Sequence, residues 1–122
     1  GNGERILVVD DIYTQRELSC KIMELLGYKC AAVSSGEEAV DYLKQNSADL
    51  ILLDMIMEPG MNGYETYRKI SEMHPGQKAI IVSGFSKTDD VKKAQSIGAG
   101  KYVKKPVTIE KIGTAIKEEL KK

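Results

Sequence analysis

Acidic, hydroxyl and ammonium side chains stand where apolar runs of strand length end in this sequence. Asp10 and Asp11 follow RILVV, Asp54 follows LILL, Ser83 follows AIIV, and Lys105 ends a short fifth run. Aspartate is common in the turns after strands, so a single one of these residues indicates little. Asp54 stands apart because a carboxylate at the tip of the most hydrophobic run is costly to bury without compensation.

Convergence of these side chains would have definite chemical consequences. At about 4 Å, two carboxylates repel each other by roughly 4 kcal/mol at an effective dielectric constant of about 20, so three must raise a pKa, recruit a cation, or both. Oxygen ligands suit Mg²⁺, which keeps water and phosphate among its other ligands. A carboxylate can attack phosphorus, while Lys105 and the metal offset charge and Ser83 donates a hydrogen bond. The set predicts a magnesium-dependent site that accepts a phosphoryl group.

The elements that must position these side chains alternate between strand length and helix length. Strands are predicted at 5–9, 28–33, 50–53, 79–82 and 102–104. Helices are predicted near 13–26, from a capping box at Ser35–Glu38, around 64–70, around 91–97 and from Thr108 onward. Five strands alternating with five helices predict one α/β domain with a parallel sheet covered on both faces. A site in such a sheet lies outside the carboxyl ends of the strands.

The composition of the chain is that of an ordinary globular domain. Its 122 residues suffice for one hydrophobic core, and 18 basic residues balance 18 acidic ones. This balance gives no indication of a nucleic-acid or membrane surface, and no apolar run reaches the roughly 20 residues of a membrane span. We expect a cytoplasmic domain over residues 4–122, preceded at 1–3 by a leader or cloning remnant.

The two cysteines, Cys20 and Cys30, show no metal-ligand spacing and lie in apolar segments. We expect them to be small buried thiols, with a disulfide between them as the alternative.

Motifs in register along the chain resemble those of the response-regulator receiver family, from about Glu4 to Leu120. They are the Asp10-Asp11 pair, Asp54 after LILL, the segment Pro59–Gly63, the Ser83-Gly84 pair, and the segment Tyr102–Pro106. The resemblance implies a flavodoxin-like, doubly wound sheet of five parallel strands in the order 2-1-3-4-5, with helices on both faces.

The resemblance also implies roles for these residues. Asp54 would be phosphorylated, and Asp10, Asp11, Asp54 and the backbone carbonyl of Ile56 would hold Mg²⁺, for which Mn²⁺ could substitute.

Three further roles follow from the same resemblance. Lys105 and Ser83 would contact the phosphoryl group. Tyr102 would turn inward when Ser83 moves toward that group, giving a conformational switch.

One loop departs from the family pattern. Proline usually stands four residues after the phosphorylated acid, whereas Pro59 stands five after Asp54, so the loop carries one extra residue near Met57 and Glu58. The extra residue bears most directly on the carbonyl of Ile56.

Two apolar side chains flank the approach to the acceptor in the positions that the resemblance assigns. These are Ile56, two residues past Asp54, and Phe85, two residues past Ser83. Neither can hydrogen-bond an attacking water, so we expect slow self-dephosphorylation.

The implied partners are a sensor histidine kinase or a histidine phosphotransfer domain, and a downstream protein. The resemblance is also compatible with a weak homodimer, and with either a stand-alone regulator or a part of a hybrid histidine kinase. We interpret His74 as a solvated residue at a helix end, not as a phosphotransfer group.

The main alternative is a pseudo-receiver that binds partners without phosphorylation. A flavodoxin-like electron carrier or an aspartyl-phosphate hydrolase fits less well. The first needs a glycine-rich phosphate loop after its first strand, and the second usually separates its two aspartates by one residue, whereas Asp10 and Asp11 are adjacent.

Overall fold

The computed structural model describes residues 1–55, 60–84 and 89–122. Its strands are β1 (Arg5–Val9), β2 (Lys29–Val33), β3 (Leu50–Asp54), β4 (Ala79–Ser83) and β5 (Tyr102–Lys104). Its helices are α1 (Tyr13–Leu25), α2 (Gly36–Gln45), α3 (Gly63–Met73), α4 (Asp89–Ser96) and α5 (Ile109–Leu120). The strands form one sheet in the order β2-β1-β3-β4-β5, with every neighbouring pair parallel. The α/β fold class and the strand order implied by the resemblance are confirmed.

Alternate residues of the central strands belong to two separate hydrophobic clusters, one on each face of the sheet. In β3, Ile51 and Leu53 pack with residues of α2, α3 and α4, whereas Leu50 and Leu52 pack with residues of α1 and α5. Because successive side chains of a strand point to opposite faces, this division means that helices cover both faces. The continuous apolar run of β3 follows from that double coverage.

The helix starts agree with the sequence signals only in part. Ser35 caps α2 by accepting a hydrogen bond from the Glu38 amide at 3.1 Å. The Glu38 carboxylate, however, accepts from the amide of Ser34 and not from that of Ser35, so the predicted capping box lacks its second half. The complete capping box belongs to α3, where Asn62 and Glu65 each accept from the other's amide.

Helix α1 lies where it was predicted, but its apolar residues are divided. Ile22 and Met23 are buried, whereas Leu18 is 54% exposed and Leu25 is 75% exposed. Gly27 follows the helix end with φ of 87°, a left-handed conformation that glycine adopts without strain.

The expectation of two free thiols is wrong. Cys20 of α1 and Cys30 of β2 form a disulfide, with 5.6 Å between their Cα atoms. Sequence separation alone did not reveal that α1 packs beside the edge strand β2.

Among the described residues, none of the helices combines the length and the hydrophobicity needed to cross a bilayer.

Candidate functional site

The register of the sheet brings the predicted site residues to one edge. Val9 pairs with Leu53, Asp54 pairs with Val82, and Ser83 pairs with Lys104. The residues that follow these pairs are therefore level with one another at the carboxyl ends of β1, β3, β4 and β5. Backbone hydrogen bonds continue past the strands, since the Lys105 amide donates to the Ser83 carbonyl at 2.7 Å.

Three carboxylates meet at this edge. Asp10, Asp11 and Asp54 each offer an oxygen, and these oxygens all lie within 4.8 Å of one another. Asp10 and Asp54 are only 5% and 6% exposed, whereas Asp11 is exposed. The predicted convergence of the acids is thus observed, with two of them in a setting where their repulsion is poorly screened.

The Lys105 ammonium lies against the two buried acids. Its Nζ atom is 3.1 Å from Asp10 Oδ2 and 3.7 Å from Asp54 Oδ1. The other carboxylate oxygen of Asp10 accepts a hydrogen bond from the Ile12 amide at 2.9 Å, which fixes the orientation of that side chain. Among the described residues, the Lys105 ammonium thus pairs with two of the three acids, and a group of three carboxylates suits a divalent cation.

Two residues of α1 join the site without having been predicted. Gln15 Oε1 accepts a hydrogen bond from the Lys105 ammonium, and Arg16 donates to the backbone carbonyl of Asp10 at 2.8 Å. Gln15 precedes the buried Ile22 by seven residues, so the two share a helix face. That spacing was the available signal, but it can be used only once the buried face of α1 is known.

Ser83 and Tyr102 occupy neighbouring strands, as the proposed switch requires. Ser83 is buried at the end of β4. Tyr102 pairs with Ile81 in the adjacent strand and is half-buried against the cluster on the α2, α3 and α4 face. The two residues therefore lie close in the sheet, one at the site and one beside it.

A cavity of about 380 Å³ is lined by residues of the acid cluster, of the sheet, of α1 and of α5. Asp10, Asp54 and Lys105 are among its polar lining residues, and Leu18 and Ile112 are among its apolar ones. The cavity lies on the α1 and α5 face, because Leu52 and Val82, which also line it, belong to the cluster on that face.

Some predicted residues fall elsewhere. Ile56, the extra-residue loop through Pro59, and Phe85 lie outside the described residues. His74 ends α3 at the opposite edge of the sheet, where its Nε2 atom is 2.7 Å from the Leu43 carbonyl oxygen. The ring is half-buried and packed, so its predicted solvated state is only partly correct, and it is remote from the acids.

Comparison with known proteins decides the family. A model of the response regulator receiver domain matches residues 6–117. The chain belongs to this family. This receiver domain is 32% identical over 118 residues to sporulation initiation phosphotransferase F of Bacillus subtilis, an alignment that covers 97% of this chain and 94% of that protein. It is 30% identical to the chemotaxis protein CheY of Thermotoga maritima, covering 93% of this chain and 95% of that one.

Solved structures agree with the sequence relatives. A receiver domain protein of Methanospirillum hungatei superposes with a TM-score of 0.91 at 29% identity, covering 98% of this chain and 94% of that one. The chain is therefore a phospho-accepting receiver of two-component signalling, a family that works with histidine kinases or phosphotransfer proteins.

Proposed function

We propose that Asp54 is the residue that takes the phosphoryl group in this receiver. The observation that carries the proposal is the meeting of the Asp10, Asp11 and Asp54 carboxylates with the Lys105 ammonium against two of them. Asp54 is the member of this cluster that ends a strand whose five residues are all buried, and it lines the cavity together with Asp10.

The residues present fit a magnesium ion. All three candidate side-chain ligands are carboxylates, the donor type that hard divalent cations prefer. Asp10, Asp11 and Asp54 would hold the ion, with the Ile56 carbonyl as a further ligand suggested by the family resemblance, and Mn²⁺ could take its place. When bound, the ion would supply positive charge to the transferring phosphoryl oxygens.

In the transfer itself, the protein would supply the Asp54 nucleophile and groups that offset charge. An oxygen of Asp54 attacks the phosphorus of a phosphohistidine, or of a small phosphodonor. With phosphohistidine, the new P–O bond forms as the P–N bond breaks, and the histidine nitrogen keeps the bonding electron pair; with a small phosphodonor, the bond from phosphorus to that donor's leaving group breaks, and the leaving group keeps the pair. Lys105 would leave its contact with Asp10 to face the phosphoryl oxygens, where an ammonium offsets the charge that develops.

The signal would follow from a change in the contacts of Ser83. Its hydroxyl would donate to a phosphoryl oxygen, and Tyr102 in the adjacent strand would move inward. Shifting a two-state equilibrium from 1:99 to 99:1 takes about 5.5 kcal/mol. One hydrogen bond to a charged group supplies roughly 1.5–3 kcal/mol, so Ser83 and Lys105 would have to act together.

The acyl phosphate would be long-lived if Ile56 and Phe85 exclude water as their apolar side chains suggest. An Ile56→Asn, Phe85→Glu double variant should lose its label faster than the wild type. Equal rates of loss would reject the shielding, while leaving the acceptor assignment intact.

The wider setting is proposed from the family. The phosphoryl donor would be a histidine kinase or a histidine phosphotransfer domain in the cytoplasm, with the receiver occupying residues 4–122. Self-phosphorylation from small donors, without a kinase, would follow from the same site.

The decisive experiment is labelling with a small phosphodonor in the presence of magnesium. Wild type should be labelled stoichiometrically, Asp54→Asn should not, and chelation of magnesium should suppress the reaction. Asp11→Ala should mainly weaken magnesium binding. Undiminished labelling of Asp54→Asn would reject the assignment and would favour a different acceptor. Complete absence of labelling with magnesium bound would favour the phosphorylation-independent alternative.

A further inference from the structure

The disulfide between Cys20 and Cys30 joins the middle of α1 to the edge strand β2. Both cysteines are half-buried, and they pack at the border of the cluster on the α1 and α5 face. A bond in that position is accessible to small thiols and disulfides, unlike one enclosed in a core.

Helix α1 buries few of its own side chains. Ile22 and Met23 are its buried residues, while Leu18 and Leu25 are more than half exposed. The N-cap residue, Ile12, makes no side-chain capping bond. The disulfide adds a covalent link between this helix and β2 to the packing of these two side chains.

The same helix supports the phosphorylation site. Gln15 holds the Lys105 ammonium and Arg16 holds the Asp10 backbone carbonyl, and Arg16 precedes Cys20 by about one helical turn. Whatever fixes Cys20 in place consequently restricts the motion of both side chains. Reaction rates at such sites depend on how firmly the reacting and supporting groups are held.

We propose that Cys20 and Cys30 form a reversible thiol–disulfide site that controls the phosphorylation rate through α1. Oxidation links α1 covalently to β2 and so preserves the hydrogen bonds of Gln15 and Arg16. The oxidised form therefore accepts the phosphoryl group faster. Reduction frees α1 and slows the reaction. The rate effect rests on the proposed role of Asp54.

The oxidant is a low-molecular-weight disulfide such as glutathione disulfide. One cysteine thiolate attacks it, releasing one small thiolate and leaving a mixed disulfide. The other cysteine then displaces the second small thiolate and forms the Cys20–Cys30 bond. Two electrons pass from the cysteine pair to the reagent, which leaves as two thiols, and the reverse sequence restores the reduced protein.

The test compares wild type and a Cys20→Ser, Cys30→Ser double variant in mixtures of oxidised and reduced glutathione. Alkylation with mass spectrometry counts the free thiols in each mixture. Amide hydrogen exchange follows α1, with α3 as an internal reference within the same molecule. The rate of labelling by a small phosphodonor is measured in the same samples.

In oxidised wild type we expect no free thiols and α1 amides that exchange about tenfold more slowly than in the reduced protein, with α3 unchanged. Labelling should be about fivefold faster, which corresponds to one hydrogen bond kept in place. The double variant should resemble reduced wild type in every mixture.

Two free thiols in all mixtures would overturn the proposal, as would a disulfide whose formation changes neither the exchange of α1 nor the labelling rate. Labelling at equal rates in both forms rejects the redox control alone. Absence of labelling in both forms rejects the assignment of Asp54 and, with it, the rate effect.

Discussion

Helices α1 and α3 follow the two strands that carry the buried acids, yet they are attached to the sheet in different ways. Helix α3 begins with a complete capping box, and its Gly63 amide donates to the Met55 carbonyl at 2.9 Å. Thr66, Tyr67 and Ile70 bury its inner face. The backbone beneath Asp54 is consequently held by close packing.

Helix α1 buries fewer of its own residues than α3 does, and polar contacts link it to the site. Its buried residues are Ile22 and Met23, and its links to the site are the hydrogen bonds of Gln15 and Arg16. The contrast teaches that the acceptor is fixed by packing, whereas the corner formed by Asp10 and Lys105 is held by side-chain contacts that can be exchanged. Such a site combines a rigid part, which holds the acceptor, with a part whose side-chain contacts can change when a metal and a phosphoryl group bind.

The largest effect on stability is expected from disturbing the packing of α3 beneath Asp54. A Cβ atom at Gly63 would lie 2.7 Å from Met55 Cα and 2.8 Å from the Asp54 carbonyl oxygen, and backbone atoms cannot yield as a flexible side chain does. We expect Gly63→Ala to lower the free energy of unfolding by about 3 kcal/mol, at the upper end of the usual cost of overpacking. Urea unfolding measures this change, and labelling of Asp54 should fall with it.

The matched control is Gly113→Ala, inside α5. A Cβ atom there would meet Leu26 at 3.5 Å, an ordinary contact. Alanine is favoured over glycine in a helix interior by roughly 0.5–1 kcal/mol, so this variant should be more stable than wild type. Equal effects of the two substitutions would show that α3 is not packed more tightly beneath the site than α5 is at Gly113.

A smaller effect on stability is expected from Lys105→Met, which alters the side-chain contacts between Asp10 and Lys105. The ammonium that offsets Asp10 and Asp54 is lost, and its side chain is mostly buried. We expect the free energy of unfolding of this variant to be about 2 kcal/mol lower than that of wild type, in the range for hydrogen bonds to charged groups. Magnesium should narrow the difference from wild type, because a bound cation offsets the same carboxylates.

Lys44→Met is the control for Lys105. Lys44 pairs with Asp41 on the surface, where the two side chains are 61% and 75% exposed, and such pairs contribute little. Its unfolding free energy should match that of wild type with and without magnesium. If the loss of unfolding free energy in Lys105→Met is the same with and without magnesium, Lys105 does not offset the carboxylates that the metal would bind.

The smallest expected effect concerns Tyr67 on the inner face of α3. Its hydroxyl donates to the Gln77 carbonyl at 2.8 Å, and burial, reinforced by the Glu119 carboxylate, raises its pKa above the usual value of 10.0. Tyr67→Phe should lower the free energy of unfolding by about 1 kcal/mol at neutral pH.

The pH dependence of that effect has a definite sign. Above about pH 10 the unfolded chain releases the Tyr67 proton while the folded chain keeps it, so wild-type stability falls as pH rises toward the folded pKa. The variant lacks the pH dependence of stability that Tyr67 causes. Tyr28, whose pKa is also raised by burial, causes a similar pH dependence in both wild type and variant. The gap between wild type and Tyr67→Phe should therefore close at alkaline pH. A gap that stays constant would contradict the raised pKa.

Much of the site could be predicted because strand ends are easily recognised. Apolar runs locate the strands, and a parallel sheet places their carboxyl ends at one edge, so Asp10, Asp54 and Lys105 follow from their positions alone. The convergence of residues 95 positions apart, such as Lys105 and Asp10, needs no further information.

The rotation of α1 could not be predicted in the same way. Leu18, Ile22, Leu25 and Leu26 span a broad face at about 100° per residue, and any part of that face could meet the sheet. The structure turns the helix so that Ile22 and Met23 are buried, which exposes Leu18 and Leu25. The place of Gln15 and the proximity of Cys20 to β2 depend on this rotation.

The most direct test of the central claim is chemical identification of the phosphorylated residue. Borohydride reduces an aspartyl phosphate to homoserine, which peptide mass spectrometry can locate. Wild type treated with a small phosphodonor and magnesium should yield homoserine at position 54, and at neither 10 nor 11. Homoserine at another aspartate, with Asp54 unmodified, would contradict the account.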